Sequence, residues 1–281
     1  MRSKLSLLLA LVFIIAGSHL YAQSPLQVRV SGQGTQAIIF IPGFSCSGDV
    51  WKETLPSFQK NYKCYTLTMP GVAGVPPLSM VTPATISNWE AIIVRYIQQN
   101  KIDKPIVIGH SMGGVLALML AADHPGLVSK VVVVDAVPCY SALQDPSFVA
   151  KENNDCSMLV SMMKGMTDEQ FFQMQLKTLP SLMADTAHLR QAAQWAVSSD
   201  RATLGSIYCD FLNTDARGRM TSIHCPALIL LESTFTSAMP AIAGQYKDLK
   251  GVQIHVATKG LHFIMYDDPQ WYNNELAAFI K

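Results

Sequence analysis

The chain has 281 residues, of which 49% are hydrophobic and 15% charged, and its formal net charge is +1. These are ordinary proportions for one globular domain with a filled core. No run of Lys or Arg stands out, which excludes the electrostatic footprint of a nucleic-acid binder or of a protein held on an anionic membrane surface. The expected partner is a small molecule.

In chain order, residues 1–22 come first and differ from the rest. Arg2 and Lys4 give a positive start, an apolar run over 5–16 is broken only by Ser6, and Leu20, Tyr21 and Ala22 precede Gln23. That three-part pattern is a secretory signal peptide with cleavage after Ala22. A short membrane anchor is the competing reading, but the run is brief and a small residue sits where the peptidase needs one. The expectation is export, to the periplasm or beyond. No later stretch is long and apolar enough to span a bilayer, so no stable membrane insertion is expected after cleavage. Cys46, Cys64, Cys139, Cys156, Cys209 and Cys225 make an even count that permits disulfides in an exported chain. Their spacing is wide and has no C-x-x-C pair, so no zinc site is expected. Free buried thiols are equally compatible with a core of this size.

Alternation over residues 26–30 suits an edge strand. Short runs rich in Val and Ile follow at 37–41, 64–69, 106–108, 131–134, 227–231 and 252–256, and they read as strands covered on both faces. Residues 86–99 set Ile86, Trp89, Ile92, Ile93 and Tyr96 at helical spacing, 112–122 form a small-residue helix, and 272–280 close the chain as a helix. This alternation predicts an α/β fold, a mostly parallel central sheet flanked by helices. Residues 140–224 break the pattern: they hold no convincing strand, several helical segments, and Met158, Met162, Met163, Met166, Met174 and Met183 beside Phe171, Phe172 and Trp195. The segment reads as a helical cap inserted after the sixth strand. The expected division is a leader over 1–22, a core over 23–139 and 225–281, and the cap over 140–224. The methionines suit either adaptable packing or the wall of an apolar pocket.

The strongest local signal is Gly109-His110-Ser111-Met112-Gly113, which follows a strand and opens a helix. Such a G-x-S-x-G turn lifts a serine hydroxyl clear of the backbone, and its glycines let strand and helix pass closely. With this motif in place the chain resembles the α/β-hydrolase superfamily over nearly all of its mature length. The resemblance implies a nucleophile at Ser111 and a base at His262, in Gly260-Leu261-His262-Phe263 after the last strand. It implies an oxyanion hole from the N–H groups of Met112 and Phe44. The loop Pro42-Gly43-Phe44 is similar to the family's His-Gly-X loop, with Pro42 in the histidine's place.

The family's acid commonly follows the strand corresponding to 227–231, where this chain offers only Glu232; the aspartate's usual place aligns near Phe235. A second location known in the family follows the preceding strand, where Asp135 stands. Asp135 and Glu232 are both candidates, and Asp267 and Asp268 read as caps of the last helix. The implied activity is cleavage of a carboxylic ester or lactone, of hydrophobic character, through an acyl-enzyme, with no cofactor and no metal. Other acyl or carbon–carbon bond hydrolysis, and a non-catalytic ligand binder, are the alternatives, since the fold hosts all of these.

Overall fold

The computed structural model describes residues 25–79 and 84–281; the leader expected over 1–22 lies outside them. Among the described residues seven strands form one sheet: β1 (Gln27–Ser31), β2 (Ala37–Ile41), β3 (Lys63–Thr68), β4 (Ile106–His110), β5 (Lys130–Val134), β6 (Ala227–Leu231) and β7 (Gln253–Val256). Their order is β1-β3-β2-β4-β5-β6-β7. β1 runs antiparallel to β3, and every other neighbouring pair is parallel. Strands β2, β4 and β6, apolar apart from His110 at the end of β4, are buried throughout, as helices on both faces require. The edge strands β1 and β7 keep exposed positions, so the two-sided cover expected over 252–256 is incomplete.

Side chains alternate between the two faces with period two. Ile39, Ile41, Val107, Val131, Val133, Ile229 and Leu231 pack with α1 (Ile86–Gln99) and α2 (Met112–Asp123). Ile38, Phe40, Ile106, Ile108, Val132, Val134, Leu228 and Leu230 pack on the other side with Tyr272, Leu276 and Ile280 of the last helix. α2 is buried from Met112 to Ala122, which explains its lack of any polar face.

Between β5 and β6 come α3 (Ser157–Lys164), α4 (Asp168–Thr178), α5 (Leu189–Val197) and α6 (Arg201–Asn213). This helical segment leaves the sheet after the fifth strand, not the sixth. The expectation counted one strand more than the described chain forms before that point. Cys156 and Cys209 are disulfide-bonded with Cα atoms 5.6 Å apart, joining the start of α3 to α6. Cys46, Cys64 and Cys139 are buried thiols and Cys225 a half-buried one, so both sequence alternatives for the cysteines occur in one chain. The methionines also divide. Met163 and Met183 are buried, whereas Met158 and Met162 are 79% and 50% exposed. Phe171 is fully buried beneath the Arg201 guanidinium, 3.9 Å from its ring centroid, and so serves packing.

The chain closes with α7 (Met239–Tyr246), the short α8 (Ile264–Asp267) and α9 (Pro269–Ile280). Among the described residues no helix is long and apolar enough to cross a membrane, and no group of three or more His, Cys, Asp or Glu side chains is placed to hold a metal ion.

Candidate active site

Strand register decides which loops meet. Ile41 pairs with Gly109, His110 with Val134, Val134 with Leu230, and Leu231 with Val256. The carboxyl ends of β2, β4, β5, β6 and β7 are therefore level. Order also reverses here, because β2 sends its chain to β3 on one side while β4 lies on the other. Ligand sites of open α/β sheets form at such a switch point.

Ser111 stands on the turn between β4 and α2 with φ 54° and ψ −124°, a backbone region that strains a side chain and marks functional turns. The tightness has a local cause. A Cβ on Gly109 would lie 2.0 Å from the Gly113 carbonyl oxygen, and one on Gly113 would lie 2.4 Å from that of Ile41. The Ser111 N–H donates to Val134 O at 2.8 Å, which ties the turn to β5. Ser111 remains half-buried rather than sealed.

Asp135 follows β5 directly and also has positive φ, 52°. Its N–H donates to Leu230 O at 2.7 Å, which aims the buried carboxylate across the ends of β6 and β7. Oδ1 accepts the Glu232 N–H at 2.7 Å and Oδ2 lies 2.5 Å from His262 Nδ1. A carboxylate only accepts, so the proton of this contact sits on Nδ1 and leaves Nε2 with a lone pair. Of the two candidate acids, Asp135 meets His262. The Glu232 carboxylate takes the Thr234 hydroxyl at 2.6 Å, and burial raises its affinity for a proton. What Glu232 supplies to the site is its backbone N–H.

Phe44 follows Gly43, where an added Cβ would stand 3.1 Å from the Ser111 Cβ, so the β2 loop rests on the serine. Neither the Phe44 nor the Met112 N–H is used in a turn, loop or cap hydrogen bond among the described residues. The Met112 N–H is one of the free donors at the α2 N-terminus, where partial positive charge gathers. The arrangement can thus deliver a hydroxyl, a proton acceptor held by an acid, and N–H donors for a developing oxyanion.

Three residues carry contacts that the sequence reading did not anticipate. His110 donates from Nε2 to His262 O at 2.9 Å. Tyr208 of α6 packs on Phe44 with ring centroids 5.0 Å apart. Asp267 does not cap the last helix. Its carboxylate accepts the N–H groups of Leu261 (2.8 Å), Ala184 (2.9 Å) and Asp185 (2.8 Å). Asp268 alone has the capping role, toward the Trp271 N–H. No linear motif signals these pairings, because all but the Leu261–Asp267 bond join residues far apart in the sequence.

A sequence profile described as the alpha/beta hydrolase fold matches residues 36–246. The chain belongs to the α/β-hydrolase fold family. A pimeloyl-[acyl-carrier protein] methyl ester esterase of Vibrio campbellii is 26% identical over 204 residues, which are 71% of this chain and 76% of that protein. A dihydrolipoyllysine-residue acetyltransferase component of an acetoin cleaving system from Cupriavidus necator is 31% identical over 106 residues. That match covers 38% of this chain and only 28% of the relative's length. The fold is also similar to that of an enol-lactonase from Burkholderia xenovorans, with a TM-score of 0.75 at 16% identity over 91% of this chain and 96% of that one. As a member of the family, this α/β-hydrolase is an esterase-like hydrolase.

Proposed function

We propose that this α/β-hydrolase is an exported serine esterase that cleaves a hydrophobic carboxylic ester or lactone through an acyl-enzyme. The observation that carries the reading is the contact between His262 Nδ1 and Asp135 Oδ2, made at the strand ends beside the strained Ser111 turn. In this reading His262 Nε2 takes the Ser111 proton as the hydroxyl attacks the acyl carbon. The Phe44 and Met112 N–H groups stabilise the charge that develops on the carbonyl oxygen. His262 then returns the proton to the departing alcohol, and a water repeats the sequence to release the acid. Asp135 holds the imidazole in its tautomer and balances the imidazolium.

Substrate class finds support in the ring contacts that run from the oxyanion loop outward, Phe44 to Tyr208, Tyr208 to Phe211 and Phe211 to Tyr140. Such an aromatic cluster beside the oxyanion loop favours an apolar acyl or alcohol group. The methyl ester named in the Vibrio relative is a simple case of the same bond. Export is supported by the leader pattern over 1–22 and by the Cys156–Cys209 disulfide, since such bonds persist in oxidising compartments.

The test uses the chain from Gln23 onward, with p-nitrophenyl esters of graded acyl length and a fluorophosphonate probe. Turnover that disappears in Ser111→Ala by about 10,000-fold or more, together with probe labelling of Ser111 alone, is the expected result. Absence of turnover combined with resistance to the probe overturns the reading and leaves a ligand binder.

A further inference from the structure

His110 fills the variable place in the elbow, and the turn itself asks nothing of that side chain. Its imidazole is nevertheless fully buried. Nε2 lies 2.9 Å from the carbonyl oxygen of His262, an acceptor only, so Nε2 carries the ring proton. Nδ1 then keeps a lone pair, and it has no hydrogen-bond partner among the described residues. Burying an unsatisfied ring nitrogen is unfavourable, and an apolar side chain of similar volume would fill the space without that cost. What an apolar group would not supply is the N–H aimed at His262.

The ring also touches the loops that follow β2 and β7. Its centroid is 4.6 Å from that of His262 and 4.8 Å from that of Phe263, and Trp51 meets it edge-on at 6.4 Å. A Cβ on Gly43, the residue before Phe44, would stand 2.9 Å from His110 Nδ1. Chain ends from β2, β4 and β7 therefore converge on one side chain, which is covalently joined to Ser111. The His262 residue is fastened on both flanks as well, through Leu261 N–H to Asp267 and Phe263 N–H to Leu182 O.

We infer that His110 is a positioning residue: its Nε2–H, bonded to the His262 carbonyl, holds the base loop at a set distance from Ser111 and from the Gly43–Phe44 loop. This inference rests on the proposed reading of His262 as the base. Burial, and next the charge of a protonated His262, keep His110 neutral well below the usual histidine range. The donor and its tautomer therefore stay constant while His262 cycles between its charge states.

His110→Gln and His110→Met separate the donor from the volume, because a Gln amide N–H reaches close to the Nε2 position and a Met side chain only fills the space. Four quantities are read in each: kcat and KM for the best p-nitrophenyl ester, the thermal midpoint, and the far-downfield proton NMR signal of the His262–Asp135 hydrogen bond. The expected result for His110→Met is a kcat lower by about 100-fold, the scale of a small misplacement of a reacting group. Its KM stays within about threefold, because the loss falls on the reacting geometry and not on substrate binding. Its downfield signal is broadened away. His110→Gln retains the signal and keeps kcat within about fivefold.

Equal kcat losses in the two variants overturn the inference, as does a wild-type kcat and signal in His110→Met. If His110→Met does not fold, His110→Gln decides: a folded variant that loses the signal overturns the inference, and one that keeps it with near-native kcat supports it. If the wild type turns over no ester, the NMR signal still tests the placement of His262, while the hydrolase reading fails separately on turnover and labelling.

Discussion

The two oxygens of Asp135 have separate partners, one the Glu232 N–H and the other His262 Nδ1. An amide in that place would offer a donor to one of two groups that are themselves donors. Asp135→Asn is therefore expected to turn the imidazole to its other tautomer and lower kcat by about 10,000-fold, with little change in fold. Glu232→Gln is expected to stay within about threefold of wild type, because its backbone N–H survives and its side chain serves Thr234. Ester kinetics on both variants, with circular dichroism to confirm folding, checks the pair; a larger loss in Glu232→Gln would reverse the assignment. The strand-to-helix turn at Ser111 and the place of His262 after the last strand were legible in the sequence, because each sits in a local string of glycines and apolar residues that chain geometry requires. Which carboxylate meets His262 was not, since the choice between two carboxylates near neighbouring strand ends depends on the β5–β6 register and on the positive φ of Asp135. The role of His110 lay further out of reach, as its partner is 152 residues away.

At the scale of elements, α1, α2 and the 3-10 turn Arg217–Ser222 meet around a buried carboxylate. Glu90 of α1 faces His124 at 3.4 Å, with Asp123 paired to Arg219 beside it. Burial, reinforced by the Asp123 charge and only partly opposed by Arg219, raises the Glu90 pKa from 4.5 to about 7. The folded chain thus binds this proton more tightly than the unfolded chain. The sign follows: its contribution to stability is complete below pH 4.5 and is lost as pH rises through 7. Glu90→Gln removes that dependence and should be more stable than wild type at pH 8, by at most about 3 kcal/mol, but not at pH 4. Urea unfolding at the two pH values measures the difference, and an equal effect at both would show that Glu90 is not the titrating group. Strand positions were readable to within one or two residues, because β-branched apolar runs have few other ways to be buried. The strand count before the helical insertion was readable too, since the five runs at 26–30, 37–41, 64–69, 106–108 and 131–134 correspond to β1–β5, and only the placing of the insertion after a sixth strand departed from them.

For the whole molecule, the question is how the helices between β5 and β6 are held against the sheet. The Cys156–Cys209 bond joins those helices to one another and does not reach the core. Asp267 does make that connection. Its carboxylate gathers Ala184 and Asp185 from the inserted segment together with Leu261, the neighbour of His262. A second tie runs from the Phe263 N–H to Leu182 O at 3.1 Å. Insertion and base loop are therefore joined through charge-assisted hydrogen bonds that no helical or strand periodicity announces, which is why the sequence placed Asp267 at a helix start instead. Asp267→Ala leaves three N–H groups without their acceptor and is expected to lower stability by about 1–3 kcal/mol. Activity should suffer with it, because Leu261 and His262 share a loop: kcat is expected to fall by about tenfold with the secondary structure intact. Urea denaturation and ester kinetics on the same preparation test both parts. An unfolding midpoint that falls while kcat holds would mean that Asp267 secures the inserted helices alone, and that the base loop keeps its place through His110 and Leu182 without it.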